Sequence, residues 1–93
     1  MKAVTSNAVA NFIINLSNSF SVTLSANGYG NVDVQLGQTL PNTNYIIQFS
    51  ALSTGSILFT EMARTTSVVR VNVRNLNDAN QTITCEWHLI YKR

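Results

Sequence analysis

Residues 67–75, SVVRVNVRN, and 81–91, QTITCEWHLIY, decide how this chain is read. In the first stretch Val69, Val71 and Val73 alternate with Arg70, Asn72 and Arg74. In the second, Ile83, Cys85, Trp87, Leu89 and Tyr91 alternate with Thr82, Thr84, Glu86 and His88. A period of two with one apolar side marks a strand buried on one face and wet on the other. β-branched and aromatic side chains suit that surface. Asn75, Asn77, Asp78 and Asn80 favour turn geometry, so the two strands are expected to form a hairpin turning near Asp78. That register sets Val71 against Cys85, Val69 against Trp87 and, outside, Arg70 against Glu86. A slip of one residue would put the valine row in water.

Upstream, Phe20 to Ala26 alternates in the same way and gives a first strand. Asn27-Gly28-Tyr29-Gly30 is a turn whose glycines can take positive φ. Val32, Val34 and Leu36 mark a second strand. Residues 37–44 hold the single proline, Pro41, and form a loop. Tyr45 to Leu52 is a third strand. Ile57 to Arg64 is a fourth, apolar on both sides. Six alternating strands with short polar links predict an antiparallel sandwich or barrel. Ile46, Leu52, Leu58, Met62 and Ile90 fall opposite the main apolar row. They are expected to lie under another element or in a subunit interface.

Residues 2–16, KAVTSNAVANFIINL, predict a short N-terminal helix capped by Thr5 or Ser6. Thr5, Val9, Phe12 and Leu16 follow coiled-coil spacing, so Val9, Phe12 and Leu16 are the expected oligomer interface. A helix of about three turns is marginal alone and must dock. The expected division is a helix over residues 1–19, for trimerisation or docking, and a β-sandwich domain over 20–93.

With 93 residues the chain makes one domain. It is 45% hydrophobic but only 11% charged, well below the usual quarter. Asn, Thr, Ser and Gln together supply 35 residues instead. A β surface of this kind is typical of secreted, viral or appendage proteins. Lysine usually protects exposed strand edges, and here only Lys2 and Lys92 are present. The net charge of +2 comes without a basic run, which disfavours nucleic acid as a partner. Arg64, Arg70 and Arg74 read as strand arginines covering apolar surface. No run of apolar residues is long enough for a membrane helix, and no signal peptide is visible.

No constellation declares a reaction. Asp33, Glu61, Asp78 and Glu86 are scattered over separate elements. One histidine and one cysteine cannot make a structural zinc site. Gly28-Tyr29-Gly30 lacks the following helix of a phosphate loop. Cys85 sits in the apolar row and reads as a small buried hydrophobe. An enzyme and a cofactor are therefore not expected. Trp87 and His88 could form a sugar-contacting pair, but the strict row places Trp87 in the core and His88 outside.

Three stretches carry a resemblance. KAVTSNAVA, residues 2–10, resembles a helix motif found before the C-terminal β domains of phage tail and prophage structural proteins. TLPNTNYIIQFS, residues 39–50, resembles one of their strands. VVRVNVRN and TITCEWHLIYKR resemble the close of phage tail-fibre tips and H-type-lectin-like sandwiches. The resemblance implies a homotrimeric, six-stranded antiparallel β-sandwich behind a short N-terminal α-helix. It implies the C-terminal part of a longer tail-fibre or baseplate protein, located on the virion or outside the cell. Its implied role is attachment to a bacterial surface saccharide. The alternative is a structural trimerisation module that binds nothing. No sugar-binding motif transfers residue by residue. The loops themselves supply candidates: Tyr29 as an exposed aromatic with Asn27 and Asn31, the pair Asn77 and Asp78, and His88.

Overall fold

The computed structural model describes residues 13–52 and 55–92. They form six strands: β1 (Ile13–Leu24), β2 (Tyr29–Gln35), β3 (Tyr45–Ala51), β4 (Ile57–Arg64), β5 (Val68–Asn75) and β6 (Gln81–Lys92). All pairings are antiparallel. Sheet 1 has the order β1-β6-β3 and sheet 2 the order β2-β5-β4. This is the expected all-β sandwich, with a different wiring.

The terminal hairpin is not a hairpin. β5 and β6 are the central strands of opposite sheets, and their apolar rows face each other across the core. Val69, Val71, Val73, Ile83, Cys85, Trp87, Leu89 and Tyr91 are all buried. Val71 is paired with Val32 and Glu61, Val69 with Val34 and Arg64. Cys85 lies beside Phe20 and Ala51, Trp87 beside Asn18 and Phe49. Arg70 meets Asp33, not Glu86. The physical reason is area: two strictly one-sided strands bury most when each covers the other and is flanked on both sides.

Such a crossing needs a corner, and Asn75 makes it. Its side chain is fully buried. Nδ2 donates to the carbonyls of Ser25 (3.0 Å) and Ala79 (2.9 Å). Oδ1 accepts from the backbone N–H (3.0 Å) and the Nδ2 (2.9 Å) of Asn77. Among the described residues no buried side-chain polar atom lacks a partner. The remaining sequential hairpin is β4–β5, closed by Thr65 N–H on the Val68 carbonyl at 2.8 Å and Val68 N–H on Thr65 Oγ1 at 3.0 Å.

β1 also differs from expectation. Residues 13–16, assigned to a helix by spacing, are strand. Leu16 pairs with Leu89 and is half-buried on the inner face, so it does not belong to a helical seam. The boundary at residue 19 falls inside β1. Val9, Phe12 and the rest of the expected helix lie outside the described residues. The cause is visible in the pairing: the second half of β6 needs a partner, and Ile13–Ser19 supplies it. β-branched Ile13 and Ile14, followed by Asn15, Ser17, Asn18 and Ser19, give helix little intrinsic support.

β4 reads apolar on both sides because Leu58 faces outward opposite Arg74 and Met62 sits unpaired in a bulge between Glu61 and Ala63, both of them exposed. Glu61 and Arg64 flank the bulge and form an ion pair across it, both side chains partly exposed. Phe49 stacks on Phe59 with centroids 5.8 Å apart and closes the β3–β4 edge.

Two outcomes test this packing. Trp87, 3% exposed, should cost about 3–5 kcal/mol when changed to alanine, read by urea unfolding. Asn75→Ala removes the four hydrogen bonds of a fully buried amide and should cost about 3 kcal/mol, whereas Asn80→Ala, on an exposed loop, should cost well under half of that in the same assay.

Candidate functional site

The chain brings its loops together at one end. The β1–β2, β3–β4 and β5–β6 connections all lie there, opposite the end where Ile13 pairs with Lys92. Asn27 N–H donates to the Asn77 carbonyl at 3.0 Å, and Asn75 N–H donates to the Gly28 carbonyl at 2.8 Å. Ser56 N–H donates to Asn77 Oδ1 at 3.2 Å. Ala26 N–H donates to Asn80 Oδ1 at 3.1 Å.

Much of this asparagine is structural. Asn27 carries the positive φ of the first turn, at 57°. That role was expected of the glycines. Gly28 is needed for another reason: a Cβ there would lie 2.5 Å from Ser25 Oγ. Asn77 spends its side chain on Asn75 and Ser56. Asp78 is exposed in the same loop and makes no hydrogen bond among the described residues.

Tyr29 and Asn31 lie on the outer face of sheet 2. Tyr29 opens β2 and is 70% exposed. Its cross-strand neighbour is Arg74, whose other neighbour is Leu58. The next row is Asn31, Asn72 and Thr60. Directly opposed side chains stand about 5 Å apart, so these six form a two-row grid next to the Asn-rich end. Asn72 Nδ2 donates to Asn31 Oδ1 at 2.9 Å. That leaves an amide donor and an amide acceptor facing outward.

His88 is not part of this grid. It lies on the outer face of sheet 1, between Ser17 and Gln48, with Nε2 at 3.1 Å from Glu86 Oε1. The same outer face carries an apolar patch. Ile46 and Ile90 are direct partners, exposed by 66% and 49%, with exposed Ile13 nearby.

Arg74, Leu58, Asn72 and Thr60 join the site although the sequence did not single them out for one. Finding them required knowing that β5 runs between β2 and β4. Other depressions are shallow. One, of about 310 Å³, lies beside Pro41, Asn42 and Tyr91 at the far end. Another, of about 210 Å³, opens between β1 and β2 at Asn18, Phe20 and Val32, and reaches the edge of Trp87. Among the described residues no cluster of His, Cys, Asp and Glu is suited to a metal ion. Burial pushes the Cys85 thiol up, which keeps it protonated.

The other two strand arginines are engaged. Arg64 grips Glu61 through Nε (2.5 Å) and Nη2 (2.6 Å). Its Nη1 donates to the carbonyls of Thr43 and Tyr45, and its guanidinium lies 4.4 Å from the centre of the Tyr45 ring. It thus ties the 37–44 loop to β4. Arg70 holds Asp33 with two bonds, at 2.8 and 3.3 Å.

Geometry defines an antiparallel β-sandwich of two three-stranded sheets, with one polar-aromatic outer face and one apolar outer patch. No family model matches the chain, and no curated protein matches it by sequence. A solved structure does share the fold: a C-terminal piece of the R1 pyocin fibre of P. aeruginosa, with a TM-score of 0.65 at 7% identity. The likeness covers 85% of this chain and 23% of that one. The chain therefore spans about a quarter of the length of its structural neighbour.

The hydrogen bonds from Arg64 hold the Glu61 carboxyl below the usual carboxylate range, against the opposing effect of burial. A lowered folded-state value stabilises the fold above the unfolded value, and that stability is lost as pH falls through the lowered one. Glu61→Gln should therefore flatten the acid limb of the thermal midpoint measured from pH 6 to pH 2 (roughly the carboxylate range and below), while changing little in the neutral plateau's shape.

Proposed function

We propose that this chain is a module of a phage or prophage tail fibre or baseplate protein, placed at the fibre tip and acting in attachment to a bacterial surface glycan. The observation that carries the fibre reading is the shared fold with a pyocin fibre segment. The motifs at residues 2–10, 39–50 and 68–93 support it from the sequence side. On this reading the chain is a virion component, a binding module without catalysis or cofactor.

Attachment is supported by the outer face of sheet 2. Carbohydrates offer hydroxyl groups and one apolar ring face. Tyr29 offers an exposed ring, and Asn31 and Asn72 offer outward amide groups. The adjoining loop adds Asp78. This surface lies next to the Asn-rich loops at one end of the sandwich. Nucleic acid is disfavoured as a partner because Arg64 and Arg70 are already held by carboxylates.

A homotrimer completes the proposal. Fibres deliver three chains together, and the Ile13, Ile46 and Ile90 patch is an apolar surface suited to burial against another copy. This patch replaces Leu16 in the interface. Val9 and Phe12 keep the role proposed for them from spacing. The same patch favours the second reading, a trimerisation module that binds nothing, since Asn27 and Asn77 are used in building turns.

Light scattering after size exclusion should give about three times the 10.2 kDa chain mass. A glycan array and binding to whole bacteria decide between the readings. Saccharide binding that Tyr29→Ala abolishes supports attachment. A trimer that binds no glycan and no cell surface leaves the scaffold. A monomer at high micromolar concentration refutes the trimer.

A further inference from the structure

We infer that the saccharide taken by the outer face of sheet 2 is anionic, and that Arg74 is the residue that selects it; the inference rests on the attachment reading above.

Of the three strand arginines, two are spent. Arg64 is bound to Glu61 and to two backbone carbonyls. Arg70 is bound to Asp33 through both carboxylate oxygens. Arg74 has no hydrogen bond, ion pair or ring contact among the described residues. The carboxylates are accounted for as well. Asp33, Glu61 and Glu86 face Arg70, Arg64 and His88. Asp78, in the adjoining loop, forms no ion pair with Arg74. The loop end of this face therefore carries one arginine with no ion-pair partner among the described residues.

Its setting gives that cation selectivity. Arg74 is the cross-strand partner of Tyr29 on one side and of Leu58 on the other. A guanidinium is planar, permanently charged and weakly hydrated, and its fork matches the two oxygens of a carboxylate or the oxygens of a phosphate. One row away, Asn31 keeps a free amide donor and Asn72 a free amide acceptor, since they share only the bond from Asn72 Nδ2 to Asn31 Oδ1. Thr60 adds a hydroxyl. An acidic pyranose matches all of this: its charge on Arg74, its apolar ring face on Tyr29, its hydroxyls on the amide row. A uronic or keto-acid sugar and a phosphorylated sugar share this chemistry.

Isothermal titration of the full chain at low salt tests it with three probes: a glucuronic-acid oligosaccharide, a phosphorylated hexose and the neutral glucose oligosaccharide. The acidic probes should bind at least about tenfold tighter than the neutral one, and Arg74→Gln should remove that advantage. Arg74→Lys should retain part of it, because the charge stays and the fork is lost. Binding should weaken as salt is raised. The ratio between the two acidic probes says whether the carboxylate or the phosphate is preferred. Arg74 is exposed, so an unchanged thermal midpoint verifies folding of both variants. Equal binding of acidic and neutral probes, or an Arg74→Gln variant with wild-type affinity, overturns the inference. If neutral glycans bind and Tyr29→Ala abolishes it, attachment stands and only the anionic specificity falls. If no glycan of either kind binds, on these probes or on the array, attachment and specificity fall together.

Discussion

Two apolar rows facing each other from opposite sheets are the constraint on which this molecule depends. Val69, Val71 and Val73 come from one side, and Ile83, Cys85, Trp87 and Leu89 from the other. Burying a side chain of the Val, Leu or Ile type is worth about 1.5–3 kcal/mol, so this double row is a large share of the stability a small domain can hold. It also fixes the wiring. The link between β5 and β6 must cross from sheet to sheet within residues 76–80, and a crossing that tight leaves backbone groups pointing inward. Asn75 satisfies them from within the core, using all its polar groups. The apolar rows and this single amide are parts of one solution.

The same constraint composes the surface. A central strand has neighbours on both sides, so each of its outward residues is the middle of a row. Arg74 is held between Tyr29 and Leu58 because Val73 and Asn75 on either side of it point inward. Ile90 is held between Asn15 and Ile46 because Leu89 and Tyr91 do so in sheet 1. One face thus becomes polar and aromatic, the other carries an apolar patch. The polar-aromatic face and the apolar patch lie back to back on opposite sheets, so the two proposed uses do not obstruct each other.

Strand number, strand type and core membership were legible because alternation reports how a strand is buried. It does not report which strand lies beside which. That is why β5 and β6 looked like a hairpin: a short Asn-rich link fits a tight turn and a sheet-to-sheet corner alike. The start of β1 was obscured by a single residue. Its inner row runs Ile14, Leu16, Asn18, Phe20, Val22 and Leu24, and Asn18 interrupts it at the open cleft between β1 and β2. With that interruption, Leu16 fitted a helical stripe as well as a strand. The mixed faces of β4 were visible, but the bulge behind them was not. Of the site, Tyr29 and Asn31 were legible as exposed and adjacent. Arg74 was not distinguishable as the one without a partner, because Arg70 finds its carboxylate, Asp33, only through the β2–β5 pairing, and Arg64 reaches Glu61 on its own strand across the bulge.

The central claim is that contact with the target is confined to the outer face of sheet 2 and its adjoining loop. Solution NMR tests it most directly, by following backbone amide shifts while extracted bacterial surface polysaccharide is added to the intact chain. The account predicts shifts concentrated at Tyr29, Asn31, Leu58, Asn72, Arg74 and Asp78, with Ser17, Gln48 and His88 on the opposite sheet unmoved. Shifts centred on the His88 face, or on the cleft at Asn18 and Phe20, would contradict it.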